Sequence, residues 1–268
     1  MMGRTLMIQG TASDSGKTSV VSALCRHFQQ EGKKIFPFKS QNMNSQSYMT
    51  EKGEEIAYSQ AIQAFAAKLP VDVRMNPILM KPTSDTGSNI IFNGNLLGHY
   101  SAREYFEMKP KLKGELAKVV DELKDTYDLV IIEGAGSPAE INLNQNDIVN
   151  MGMAEIADAP VIIVADIDLG GVFASIYGTL ALLPEGSRSR VKGIIINKFR
   201  GDISLLQSGL DQIEELTGIP VIGVLPYHDY RLKAEDNLEM EANFDGLAEL
   251  FREHVDMNAI ERIIDEGA

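Results

Sequence analysis

The stretch RTLMIQGTASDSGKTSVVSALCRHFQQEG joins a short apolar run to an amphipathic one through a glycine turn ending in Gly16-Lys17-Thr18. A strand that enters such a turn and leaves as a helix is the local frame of a phosphate-binding loop. Backbone amides of the turn and the helix N-terminus can hold phosphate oxygens. In this frame Lys17 reaches the outer phosphates and Thr18 offers its hydroxyl to magnesium. Gly10, Thr11, Asp14, Ser15, Gly16, Lys17, Thr18 and Ser19 are therefore the candidate ATP contacts. The loop is one residue longer than the usual form, with five residues between Gly10 and Gly16. Asp14, inside it, either binds ribose, caps the turn or touches substrate.

The rest of the chain repeats one design. KKIFPFK, YDLVIIEGAGS, APVIIVADID, VKGIIINKF and GIPVIGVLP are short runs rich in Ile and Val, separated by helical patterns. That alternation predicts an α/β three-layer sandwich of the phosphate-loop type, with a mostly parallel sheet covered on both faces. NPILMKP and NIIFNG are further strand candidates, and EEIAYSQAIQAFAAKL has helical periodicity. The stretch from Asp85 to Pro110 is the least regular and is expected to form loops beside the site. The tail, NFDGLAELFREHVDMNAIERIIDEG, predicts one or two amphipathic helices, packed on the domain or docking a partner. The expected division is residues 1–240 as the ligand-processing domain and 241–268 as a terminal helical segment.

The chain has 268 residues, 44% of them apolar, and a formal charge of -13. That balance argues against nucleic acid or an anionic membrane as a general partner. No apolar run approaches the roughly 20 residues of a membrane span. The single cysteine, Cys25, cannot make an internal disulfide, which fits a reduced, cytoplasmic setting. It falls on a helix, in core context, so it is a poor nucleophile candidate. The four histidines are scattered and lack structural-zinc spacing.

Other candidates sit at the ends of the apolar runs. Glu133 closes LVIIE, at the strand end where ligands of parallel sheets bind, and a carboxylate suits magnesium; the alternative is a cap for the glycine turn. Glu54 and Glu55 follow a glycine at the expected start of a helix, where acids are common simply as helix stabilisers. Lys39 either neutralises a reacting carboxylate or phosphoryl group or is a solvent-facing strand end. Lys81, Ser84 and Asp85 lie in KPTSDTGS, a substrate loop or merely a loop. Asp166 and Asp168 end VADID, where either can order metal-bound water or substrate. Asn197 ends GIIIN and either reads adenine through its paired donor and acceptor or caps.

GTASDSGKTS resembles the longer phosphate loop of the dethiobiotin-synthetase-like ATPases. FKSQNMNSQSYMT, NPILMKPTSDTGS, IEGAGSPAEINL, DIVNMGMAEIADAPVIIVADIDLGGVFASIYGTLALLP and INKFRGD, together and in this order, resemble the cobyric acid synthase family. The resemblance runs from about Gly10 to Pro226. It implies an ATP-dependent ligase that amidates peripheral carboxylates of a corrin ring, taking the adenosylcobyrinic a,c-diamide to cobyric acid through an acyl phosphate. ATP and Mg2+ are the implied cofactors. The metal positions fall on Thr18, Glu55 and Glu133, and the adenine-side asparagine on Asn197. Lys17, Lys39, Glu133 and Asp85 become the catalytic candidates. Lys39, Gln41, Asn42, Lys81, Ser84, Asp85, Ser137 and Asn142 become the substrate contacts. A homodimer is implied, with substrate lying across its interface.

The family usually continues into a glutaminase domain with a cysteine nucleophile, and Cys25 is in the wrong context for it. The nitrogen source is then free ammonia, or ammonia from a separate glutaminase subunit. Rival readings are a ligase for other corrin carboxylates, as in a,c-diamide synthesis, a dethiobiotin-like ligase, or a partitioning ATPase. Many partitioning ATPases carry an added lysine early in the loop, and none lies between Gly10 and Gly16.

Overall fold

The structure is a computed structural model and describes residues 2–83, 87–230, 232 and 237–268. In chain order the elements are β1 (Arg4–Gly10), α1 (Lys17–Gln30), β2 (Ile35–Phe38), β3 (Gln41–Met43), β4 (Ser47–Met49), β5 (Glu55–Ala57), α2 (Tyr58–Ala66), β6 (Ile78–Pro82), β7 (Gly87–Phe92), β8 (Asn95–Ser101), α3 (Ala102–Thr126), β9 (Leu129–Glu133), α4 (Met151–Ala157), β10 (Val161–Asp166), α5 (Val172–Leu182), α6 (Glu185–Arg188), β11 (Val191–Phe199), α7 (Gln207–Thr217), β12 (Val221–Pro226), α8 (Asn237–His254) and α9 (Met257–Glu266).

Among the described residues the main sheet has the order β12-β11-β10-β1-β9-β2, and every pairing in it is parallel. Its strands are apolar on both faces because both are covered. Leu6, Ile8, Ile131 and Ile195 pack with Val20, Leu24 and Phe28 of α1, Phe244 and Phe251 of α8, and Ile260 of α9. Met7, Val130, Ile132 and Ile194 point the other way, onto Leu116 and Val120 of α3, Met153 of α4, Ile176 of α5 and Ile213 of α7. This is the expected three-layer α/β sandwich. Pro37 is tolerated because β2 is the edge strand, where a missing N–H is least costly. The terminal segment is packed: α8 runs across residue 240 and seats Phe244, Leu247 and Phe251 in the core. Among the described residues no helix is long and apolar enough to cross a membrane.

Strand order places the site. From β1 the chain crosses to the β9-β2 side, then returns past β1 to β10. The strand order reverses at β1, so a crevice opens beyond the C-terminal ends of β1, β9 and β10. A second sheet, β3-β6-β7-β8, carries Gln41 and Asn42 on β3 to this end of the molecule.

Two expectations are corrected. The stretch from Asp85 to Pro110 is not a set of loops where it is described. Residues 87–101 form a hairpin whose Asn93-Gly94 turn has φ of 46° and 78°, as a two-residue hairpin turn requires. The helix that follows starts at Ala102 behind a capping box, with Ser101 N–H donating to Glu104 Oε2 (2.8 Å) and Glu104 N–H donating to Ser101 Oγ (3.3 Å). Pro110 lies inside it. Glu55 is also not in a helix first turn. It lies on β5, paired antiparallel with β4, and the helix begins at Tyr58. The cross-strand pairing with residues 47–49 overrides the helical periodicity.

Candidate active site

The phosphate loop forms as its chemistry demands. Gly16 has φ of 100°, and a Cβ there would sit 1.9 Å from Asn197 Nδ2, so no other residue fits without moving the loop. At Gly10 a Cβ would meet Ser15 Oγ at 2.2 Å and Lys17 Nζ at 2.9 Å. The extra residue is absorbed on the outer rim. Asp14 is exposed with φ of 57°, and its carbonyl accepts from Lys198 Nζ (2.8 Å). Ser15 stays buried, and Thr11 N–H donates to Val164 O (3.0 Å), tying the loop to β10. The first turn of α1 carries no acidic residue and no side-chain cap, so its positive end remains available to an anion.

Lys17 Nζ donates to Ala12 O (2.8 Å) and Gly136 O (3.0 Å). Burial pulls its ammonium down to about 8; Glu133 opposes that lowering and Lys39 adds to it. Glu133, 2% exposed, is the hub. Its Oε1 accepts from Lys39 Nζ (2.7 Å) and Thr18 Oγ1 (3.1 Å), and its Oε2 accepts from Gln63 Nε2. A buried carboxylate needs this pairing. Thr18, Lys17, Lys39, Asn42, Ser19 and Glu133 share the wall of a 620 Å³ cavity. The hydroxyl of Thr18 and the carboxylate of Glu133 are adjacent hard oxygens, the donor type magnesium takes.

Other candidates are placed differently. Glu55 is held by Lys81 and Ser47 and, among the described residues, makes no hydrogen bond to Thr18 or Glu133. Burial acts to raise its pKa, but the hydrogen bonds from Lys81 and Ser47 outweigh it and hold the carboxyl below its ordinary value. Asn197 is buried; its Nδ2 donates to Ser15 O (3.0 Å), bracing the loop from behind, while among the described residues its Oδ1 has no partner. Asp166 pairs with Lys198 (2.6 Å) and Asp168 with Arg200 (3.1 Å). Asn42 Nδ2 donates to Ser59 Oγ (2.8 Å) and Gln60 Oε1 (2.7 Å), and Gln41 Oε1 accepts from Tyr105 OH. Ser137 Oγ accepts from Ala139 N–H (3.2 Å). Asn142 is exposed on the single turn Ile141–Leu143. Ser84 and Asp85 lie outside the described residues. Cys25 is buried, and burial pushes its thiol well up, away from thiolate chemistry.

Three residues escaped the sequence reading. Gln63 grips Glu133. Gln60 grips Asn42. Asn150 clamps the turn after β9, its Nδ2 donating to Ala135 O (2.7 Å) and its Oδ1 accepting from Ala135 N–H (3.1 Å). The available signal was polar residues at buried positions: Gln60 and Gln63 interrupt the apolar face of YSQAIQAFA and are fully buried.

Residues 4–233 match the AAA_26 family, described as AAA domain. Over 239 residues the chain is 57% identical to the cobyric acid synthase of Streptococcus sanguinis, covering 89% of this chain and 48% of that one. It is 55% identical over 239 residues to that of Listeria monocytogenes serotype 4b, covering 89% and 47%. It is 55% identical over 249 residues to that of Photorhabdus laumondii, covering 92% and 49%. The chain thus spans about half the length of the curated relatives it matches. With a phosphate loop at the strand-order reversal of a parallel sheet and a family match from residue 4 to residue 233, the chain belongs to the AAA domain family AAA_26, and it is homologous to cobyric acid synthases.

Proposed function

We propose that this chain is the synthetase part of a cobyric acid synthase. It amidates peripheral carboxylates of a corrin ring at the expense of ATP. The observation that carries this reading is the convergence of Thr18, Lys39 and Gln63 on Glu133 at the mouth of the phosphate loop, in a chain more than half identical to cobyric acid synthases.

A carboxylate oxygen is a poor leaving group, so the reaction needs activation. The substrate carboxylate attacks the γ-phosphorus of ATP, the bond to the bridging oxygen breaks, and ADP leaves. Ammonia then adds to the carbonyl carbon of the acyl phosphate, the carbon–oxygen bond to phosphate breaks, and a proton is lost to give the amide. Loop amides and Lys17 hold the phosphates; Lys17 exchanges the carbonyls of Ala12 and Gly136 for phosphate oxygens. Thr18 and Glu133 would hold magnesium, which when bound offsets the phosphate charge. Lys39, beside the cavity and close to Glu133, stabilises negative charge where carboxylate and phosphoryl group meet. The Oδ1 of Asn197, without a partner among the described residues, would accept from an adenine amino group, since its Nδ2 is already used on the loop.

The test is product analysis by mass. The purified chain, ATP, magnesium and ammonium are incubated with cobyrinic acid a,c-diamide. Each amide formed replaces a hydroxyl by an amino group, and the mass change counts the events. ATP hydrolysis with no corrin amide would overturn the reading and leave a nucleotide switch.

A further inference from the structure

Two more cavities lie on the side of the phosphate-loop cavity that faces α3. The first, of 310 Å³, shares Met43, Ala135 and Gly136 with it and reaches Gln41 and Asn150. The second, of 320 Å³, shares Lys109, Pro138, Asn144 and Asp147 with the first. Their shared lining residues set the three cavities side by side, and together they are taken as a groove from Lys39 and Glu133 to α3.

Lys109 stands where the outer two cavities meet. Four nearby cations are ion-paired, Lys39 with Glu133, Lys81 with Glu55, Lys198 with Asp166 and Arg200 with Asp168, and Lys17 is held by the carbonyls of Ala12 and Gly136. Lys109 is half-buried, and among the described residues no ion pair closes on it. Asp147 is the acidic group that acts on it, but its oxygens already accept from the backbone N–H groups of Val149 (2.8 Å), Asn150 (3.1 Å) and Gly152 (2.9 Å). Burial pulls the Lys109 ammonium below its ordinary pKa, with Asp147 opposing. A partly desolvated cation without a counter-ion is costly unless something else supplies the charge. Its ammonium lies over the rings of Tyr105 and Phe106, 5.9 and 5.8 Å from their centres, and Tyr105 is hydrogen-bonded to Gln41 on the groove wall. The ammonium is thus held at a fixed place in the groove of a protein whose overall charge is -13.

We infer that the groove is the docking channel of the ring substrate, with Lys109 as the receptor for one of its carboxylate arms while another arm reacts at Lys39. The inference rests on the proposed corrin amidation. Lys113, one turn further along α3, lines the outer cavity as a second cation. Glu140 and Glu155 also line the groove, so it is not a general anion sink. The carboxylates, ammonium groups and Asn144 amide that line it together suit a ring whose arms are part amide and part carboxylate. Amide N–H groups suit the glutamates, and carboxylates suit the lysines. Lys109 then sets the register of the ring.

The experiment is an equilibrium titration followed by the visible absorbance of the corrinoid, without ATP or magnesium, so turnover plays no part. Cobyrinic acid a,c-diamide is titrated into the wild-type chain, Lys109→Gln and Lys109→Arg. Lys109→Gln is expected to weaken binding about tenfold, an effect that shrinks in high salt, while Lys109→Arg stays within about threefold of wild type. Cobyric acid, with most arms already amidated, should bind the two chains with a much smaller difference. Equal affinity of wild type and Lys109→Gln for the diamide would overturn the inference alone. So would an equal loss for diamide and cobyric acid, which marks a change of shape rather than a lost charge. Failure of the wild-type chain to bind either corrinoid would overturn the functional reading together with this inference.

Discussion

Lys39 Nζ lies 2.7 Å from Glu133 Oε1, and both side chains are nearly closed to solvent. Thr18 shares that same oxygen. The carboxylate that is suited to a metal therefore also keeps a lysine ammonium in place. Glu133→Gln keeps the size and removes the charge. ATP-dependent turnover is expected to fall at least a hundredfold, and the magnesium concentration at half-activity to rise at least tenfold. Because Lys39 loses its counter-charge inside the protein, stability is also expected to drop by about 3–5 kcal/mol. Magnesium titration of activity and urea unfolding of the same sample check both. An unchanged magnesium response would reduce Glu133 to a turn cap.

Gln63 fixes which oxygen of Glu133 faces Thr18, because it occupies the other one. Gln63→Leu strands Oε2 without a donor at a cost of about 1–3 kcal/mol. It is expected to loosen Mn2+ binding in the presence of ADP, read by the electron paramagnetic resonance of free Mn2+. Gln63→Glu sets two carboxyl groups against each other, and they retain a shared proton at neutral pH. Its Mn2+ affinity should strengthen as pH rises. A flat response in both variants would remove the orienting role.

The Lys17 ammonium sits at about 8 before nucleotide binds. Phosphate oxygens favour the charged form, so binding takes up a proton above that pH. ATP affinity should be flat below about pH 7 and weaken above 8, approaching tenfold per pH unit. The same depressed value makes the free protein gain stability between about 8 and the ordinary lysine value, because the unfolded chain there carries the extra proton. Lys17→Ala should abolish turnover and flatten the affinity profile. Fluorescent-nucleotide titrations from pH 6.5 to 9.5 decide this, and a slope persisting in Lys17→Ala would assign it elsewhere.

This chain is expected to use ammonium and not glutamine. Releasing ammonia from glutamine calls for an activated thiolate, and Cys25 is a buried thiol whose ionisation burial opposes. Amide formation should rise with pH, because only free ammonia attacks. Glutamine-driven amidation by the purified chain that survives Cys25→Ala would reveal a nitrogen route these residues do not contain.

What the sequence made legible was the local chemistry. Gly16, Lys17 and Thr18 announce a phosphate loop because the turn itself dictates those residues, and Glu133 stands out where an apolar strand stops at an acid. What stayed hidden depends on distant pairing. Glu55 read as the start of a helix because nothing nearby reveals that residues 47–49 lie alongside it. Gln63 is one amide in an apolar helix, and only the meeting of α2 with the end of β9 gives it a role. Asn197 was legible as a residue at a strand end, but its grip on Ser15 O follows from the strand order. The Asn93-Gly94 hairpin and the Ser101 capping box were present as local signals and were masked by the polar composition around them.

The added residue of the phosphate loop leaves at Asp14, on the rim, where Lys198 tethers its carbonyl. Inside that rim, Gly10, Ser15, Gly16 and Lys17 are wedged against one another and against Asn197 with no room for another atom. The loop thus has an inner part that closes on Gly10 and Gly16 and an outer part, Ser13 and Asp14, exposed to solvent. Substitutions at Ser13 and Asp14 are therefore expected to change the approach to the loop while disturbing its inner geometry less than substitutions at Gly10 or Gly16.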